Sequence, residues 1–170
     1  MADSICVGCG MCCDGTLFSH ATIKPNDDSS LLVSLGFVVE GDESNRWFTQ
    51  PCQAFGGGQC HVYEQRPRTC RRFRCALLVE HEDGNLPAAE AVRVIRQAAD
   101  VRDRVRDAAV TLLGDDARTQ AISALQTRLN SIVESDVDRS THAQLLLDLA
   151  TLDLLLKRRF VPDRPVEPTS

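Results

Sequence analysis

The amino-acid sequence predicts an α+β protein, with a small irregular N-terminal module containing a short hairpin, followed by a three-helix C-terminal segment. Three observations carry that prediction. All eight cysteines lie within the first 75 of 170 residues, four of them packed into CVGCGMCC as Cys6, Cys9, Cys12 and Cys13. The same region alternates short apolar, β-prone runs with glycine- and proline-bearing turns. From Pro87 onward, apolar residues recur at spacings of three and four, the period of a helix face.

The elements follow in order. GTLFSHATIK is expected to supply a strand leaving the cysteine loop, and PNDDSSLLVSLG a short helix with Pro25 near its start and Gly36 as its stop. FVVEGDESNRWFTQ holds two apolar runs about a polar turn, predicting a hairpin with strands Phe37–Glu40 and Arg46–Thr49. FGGGQC reads as a loop delivering Cys60, and RPRTCRRFRC as a helical turn with Pro67 in its first turn. Ala91, Val94, Ala98, Val101, Val105, Ala108 and Leu112 form the stripe of the first long helix, which Gly114 stops. Asp115 or Asp116 is expected to cap the second helix, whose stripe is Ile122, Leu125, Leu129 and Ile132. Thr141 and Gln144 resemble a capping box opening the third, with Leu145, Leu149, Leu152 and Leu156 inward. Leu146, Leu147, Leu154 and Leu155 widen its apolar surface, which leaves room for a central position, a homodimer or a protein partner. The expected boundaries are 1–80 for the cysteine module, 87–160 for the helices and 161–170 for a loose tail.

Composition narrows the class. Hydrophobic content of 43% and charged content of 25% are ordinary for a globular chain. The net charge of −5 argues against a nucleic-acid coat, and one Trp and one Tyr make a poor stacking platform. No stretch reaches a membrane span and MADSIC lacks the features of a secretory signal, so a cytoplasmic location without membrane contact is expected.

In a reducing cytosol, clustered thiols serve metals or redox chemistry more often than disulfides. A C-x-x-C turn aims two sulfurs at one point, and Gly10 suits such a knuckle because glycine tolerates positive φ. Thiolates are soft donors that select zinc or iron–sulfur clusters over magnesium or calcium. Cysteines at i, i+3 and i+6 with a remote fourth are a common ligand set for four-iron clusters, and no second C-x-x-C pair exists to complete a two-knuckle zinc site. The spacing therefore favours iron–sulfur over zinc. Adjacent Cys12 and Cys13 cannot easily share one ion, because neighbouring side chains diverge by about 100° in a helical turn and point to opposite faces of a strand. The expectation is two sites. Cys6, Cys9 and Cys12 close one with Cys70 or Cys75. Cys13, Cys52, Cys60 and the remaining late cysteine close the other.

These residues carry a resemblance. CVGCGMCC, PCQAF and CHVYEQRPRTCRRFRC resemble the CxxCxxCC family, the YkgJ-type cysteine cluster proteins or zinc- or iron-chelating domains. All eight cysteines, Pro51, and the Tyr-x-x-Arg-Pro of Tyr63, Arg66 and Pro67 fall in the family order. The resemblance spans about Cys6 to Cys75 and implies metal chelation by the eight thiols. A similar module accompanies flagellin lysine methylation in larger proteins, which implies iron–sulfur use, although this chain is short for that whole enzyme.

Other residues are assigned plainer roles. Arg66, Arg68, Arg71, Arg72 and Arg74 are read as charge compensation for a thiolate site, ahead of a phosphate contact. Arg93, Arg96, Arg102, Arg104 and Arg106 alternate with acids as a solvated or salt-bridged face. His20, His61, His81 and His142 are read as structural, and Asp14 as a turn or cap residue. The expected function is metal binding with a structural or redox role. A metal-dependent modifying enzyme or enzyme subunit and a zinc-stabilised interaction module are the alternatives, and no catalytic residue or substrate is legible.

Overall fold

The computed structural model describes residues 5–135 and 142–162. The mixed α+β architecture is as expected, with two small antiparallel sheets near the N-terminus and helices dominating thereafter. Thr141 of the expected capping box and residues 163–170 of the expected tail lie outside the described residues.

Strand β1 (His20–Ile23) is the predicted strand, and it pairs with β3 (Asn45–Thr49), which pairs in turn with β2 (Val39–Asp42), giving the order β1-β3-β2. The hairpin is shifted toward its turn relative to the expected strands, because Asp42 builds the corner. Its carboxylate accepts from the amides of Ser44 and Asn45 and from the Ser44 hydroxyl. Helix α1 (Ser29–Ser34) is capped by Asp28, which accepts from the Leu31 amide, and Pro25 sits a few residues ahead of it. It ends at Gly36 (φ 89°) with Gly36 N–H donating to Val33 O and Phe37 N–H to Leu32 O. That is a Schellman ending, and its hydrophobic contact is Phe37 with Leu32, both buried in the sheet's core. Phe37 meets Phe48 edge to face at 4.9 Å, and Ile23, Ala54 and Val62 complete this core.

FGGGQC is a hairpin and not a plain loop. Strands β4 (Phe55–Gly56) and β5 (Gln59–Cys60) pair across Gly57 and Gly58, both at positive φ. Helix α2 (Arg68–Arg72) follows Pro67, which stands at its N-cap. Helix α3 (Ala76–Glu82) was not anticipated.

Helix α4 (Ala88–Leu113) is the longest element, and it is stopped by Gly114 at φ 93°. Its buried line is Ala91, Val94, Ala98, Val101, Val105 and Ala109. Ala108 is therefore at the edge of the expected stripe, and Leu112 is 38% exposed. A strict seven-residue repeat drifts by about 20° per heptad on a straight helix, so the stripe has rotated by its third heptad. Asp115 and Asp116 open a 3-10 turn (Asp115–Thr119) and not the next helix. Helix α5 (Ile122–Ser135) buries Ile122, Leu125, Leu129 and Val133, the last replacing the expected Ile132. Helix α6 (Ala143–Arg159) buries Leu145, Leu149 and Leu152 as expected, with Leu156 partly buried. It also buries Asp148, which takes a bidentate contact from Arg104 of α4, Nε to Oδ2 at 3.2 Å and Nη2 to Oδ1 at 2.8 Å.

The cysteine loop and the helices share a core. Ile5, Met11, Cys75, Leu77, Leu78 and Leu86 pack with Ala91, Val94, Ala98 and Phe160. Met11, wholly buried between two cysteines of the opening motif, anchors that motif on the helices. Truncating such a side chain to alanine costs about 2–5 kcal/mol. The far half of α4 packs with α5 and α6 in a separate core, and Leu155 and Leu156 touch both.

Candidate metal centre

The opening motif is two turns in succession. Cys9 N–H donates to Cys6 O at 3.2 Å, closing the first knuckle. Gly10 then takes φ 68°, and its carbonyl accepts from Cys13 N–H at 2.7 Å and Asp14 N–H at 2.9 Å. Only glycine fits there, because a Cβ would strike the Phe55 ring. Cys12 and Cys13 thus sit on one helical turn, where successive side chains point about 100° apart.

The thiols divide accordingly. Burial pushes Cys9 up to about 11, and the thiolates of Cys75 and Cys6 add to the rise. Burial raises Cys12 also, with Cys75, Cys13, Cys9 and Cys6 as its charged neighbours. Burial raises Cys75, with Cys6 its neighbour. On the other side of the turn, burial lifts Cys13 to about 12, and its neighbours are Cys52, Cys70 and Cys60. Cys70 is lifted to about 12 by burial and then by Cys52 and Cys60, and burial raises Cys52 with Cys60 beside it. Two quartets result, Cys6, Cys9, Cys12 and Cys75 in one and Cys13, Cys52, Cys60 and Cys70 in the other. They meet at the Cys12–Cys13 peptide bond.

Main-chain amides face several of these sulfurs. The Met11 amide lowers Cys9, those of Ala54 and Phe55 lower Cys52, and those of Leu78 and Leu77 lower Cys75, each against the larger effect of burial. Cys75 stands at the N-cap of α3, which explains its pair of amides. None of the eight forms a disulfide. Among the described residues, no three His, Cys, Asp or Glu side chains group closely enough to hold a metal ion as they stand. The donor chemistry suits soft metals all the same. Each quartet is composed of thiols, with the carboxylates of Asp14 and Asp27 near enough to add a smaller rise to Cys9, Cys13 and Cys70.

The surroundings refine the plainer assignments. Arg66 lies over the Tyr63 ring at 3.4 Å, donates to Tyr63 O at 2.7 Å, and lowers Cys70, so one of the five arginines acts on a thiol. Arg74 pairs instead with Glu82. His81 bonds Leu86 O, His20 bonds Ser19, and His61 lies against Gly56. Among the described residues, no histidine is among the leading influences on Cys9, Cys12, Cys13, Cys52, Cys70 or Cys75.

Asp14 is a turn residue, accepting from the Thr16 amide, and also the centre of a clamp that sequence reasoning missed. Arg102 donates to its Oδ2 at 2.7 Å. Arg106 donates to its carbonyl and, through the other nitrogen, to Gln120 O at 3.0 Å. Gly15 O receives the first amide of α5, Ile122 N–H, at 2.8 Å. Gly15 is at φ 79° with Ala121 Cα 3.0 Å from where its Cβ would be, so the segment after Cys13 lies flush on the helices. The i, i+4 spacing of Arg102 and Arg106 was the available signal for a shared target.

Among comparisons with known proteins, the model of the CxxCxxCC family, described as "Putative zinc- or iron-chelating domain", matches residues 5–97, which extends past Cys75 into α4. No curated protein and no solved structure matches.

Proposed function

We propose that this chain, which belongs to the CxxCxxCC family of zinc- or iron-chelating domains, holds metal in two adjacent four-thiol sites. Cys6, Cys9, Cys12 and Cys75 would hold one, and Cys13, Cys52, Cys60 and Cys70 the other. The observation that carries this reading is the split at Cys12 and Cys13, whose electrostatic neighbours are different sets of three thiols apart from each other. The module over residues 1–80 is the chelating part and the helices over 87–160 its buttress. Eight reduced thiols belong in a reducing compartment such as the cytoplasm.

For the metal itself we favour iron–sulfur over zinc. The i, i+3, i+6 run with a remote cysteine supports it. A bound cluster would supply one-electron redox capacity, and the chain's own residues would supply four thiolates per site and the amides facing Cys9, Cys52 and Cys75. Anaerobic isolation with metal and sulfide analysis and a visible spectrum tests this. A brown protein with iron and acid-labile sulfide is expected. A colourless protein with two zinc ions would overturn the choice of metal and keep the sites.

A second reading, as a metal-stabilised interaction module, draws on α6, where Leu147 is 60% and Leu154 50% exposed. A homodimer through that face would appear in light scattering and disappear in Leu147→Lys/Leu154→Lys. No helix among the described residues is long and apolar enough to cross a membrane.

A further inference from the structure

We infer that the two quartets have different roles: the first exchanges its metal with an external thiol through Cys6, and the second is a permanent staple. This rests on the two-site reading above. Of the eight cysteines, Cys6 is exposed, Cys75 is buried and the other six are half-buried. The knuckle that carries Cys6 projects outward. Val7 is 69% exposed, and a Cβ at Gly8 would meet nothing within 4 Å. Two other members of that quartet are held from behind, Cys75 within the core shared with α4 and Cys9 packed against it. One side of the first site is therefore open, and its open ligand is the one on the least enclosed backbone.

The second quartet is interlocked. Cys13 lies on the turn after Gly10, and its carbonyl receives the Cys52 amide at 2.8 Å. Cys60 is held in the β4–β5 ladder opposite Phe55, and Cys70 lies within α2. Cys52, Cys60 and Cys70 all pack against the sheet core around wholly buried Phe48. Its four cysteines stand on four different backbone segments, each tied to its neighbours, and none of the four is exposed as Cys6 is.

The exchange is a ligand substitution. The incoming sulfur bonds to the metal as the Cys6 bond breaks, the incoming thiol's proton ends on Cys6, and no electron changes hands. The exposed collar of Val7 and Gly8 admits a small thiol or a cysteine on another protein's surface, and the metal is the cargo.

The test uses the full chain loaded with Zn²⁺ alone. Two zinc ions per chain are counted first by native mass spectrometry. EDTA is then added, and samples are quenched over time with N-ethylmaleimide for mapping by peptide mass spectrometry. One ion should leave in a first phase at least about tenfold faster than the second. Its loss should coincide with labelling of Cys6, Cys9, Cys12 and Cys75, while Cys13, Cys52, Cys60 and Cys70 stay protected. Adding glutathione should accelerate only that first phase. Cys6→Ser should remove the fast ion and leave the slow phase unaltered. Two ions leaving together, or the second quartet labelling first, overturns the division of roles while the two sites stand. A count of one zinc ion per chain overturns the two-site reading and the inference with it.

Discussion

Mild acid should strip the metal from this protein far more steeply than one ionisation permits. In each quartet three thiols are raised above the ordinary value of 9.0, Cys9, Cys12 and Cys75 in the first and Cys13, Cys52 and Cys70 in the second. Burial is the leading cause for all six, so all are protonated at neutrality in the metal-free chain. The thiolate is the ligand, and filling either site near pH 7 must therefore expel at least three protons. The logarithm of the apparent affinity then falls by about three for each unit of pH lost, or about 4 kcal/mol per unit. Competition against a calibrated zinc indicator at pH 6, 7 and 8 measures that slope, and calorimetry in buffers of different ionisation enthalpy counts the protons directly. A slope of one or less would refute the claim that protonated thiols are the ligands. The metal-free chain should behave in the opposite sense. A thiol whose pKa is higher folded than unfolded stabilises the fold fully below pH 9, and that stability is lost as the pH climbs through about 11 to 12. Denaturant melts of the metal-free chain at pH 8 and pH 10.5 should show the alkaline loss, and equal midpoints would contradict it.

The remaining predictions concern single positions. Cys12→Ser and Cys13→Ser should each lose one metal equivalent by native mass spectrometry, from different quartets by thiol labelling, and the double variant should lose both. Gly8 and Gly10 both have positive φ, but only at Gly10 would a Cβ meet a neighbour, the Phe55 ring. Gly8→Ala should cost about 1–2 kcal/mol of backbone strain, and Gly10→Ala distinctly more, in thermal melts of the loaded chain. Asp14→Ala removes the Thr16 amide's acceptor and half of the Arg102 pair, which are both largely buried, and should cost roughly 1–3 kcal/mol in denaturant melts without changing metal count.

Much of this arrangement was legible in the residues, and the exceptions have physical causes. Helix α3 escaped because ALLVEHE is shorter than the periodicity needed to identify a helix, and its N-cap, Cys75, is not a usual capping residue. The β4–β5 hairpin escaped because three glycines read as breakers, although a Gly-Gly pair is itself a tight-turn signal. The helical stripes were right in kind and slipped by one residue at their ends, at Ala109 and Val133, because a fixed spacing accumulates rotation. The separation of Cys12 from Cys13 followed from elementary helix geometry. Choosing Cys75 for the first quartet and Cys70 for the second required the fold, since α2 packs on β1 while α3 packs on α4. The salt bridge of Asp148 with Arg104 was hidden because an acid within a leucine run looks like its polar face. The clamp on Asp14 was hidden because Arg102 and Arg106 look like any charged helix surface until their targets, 88 and 92 residues away, are known.

The manner in which Arg106 holds that clamp bears on how the protein can diverge. Its guanidinium reads main-chain carbonyls, those of Asp14 and Gln120 and, at 3.4 Å, that of Arg118. A carbonyl is present whatever side chain its residue carries, so positions 118 and 120 are free to drift in identity without loosening the joint. The selective burden falls on one arginine, on the glycine at 15 that permits close approach, and on loop length. A search for correlated substitutions between the cysteine loop and the helices would therefore miss this contact, and an insertion or deletion between Gly114 and Ile122 would harm the metal module more than most point changes there.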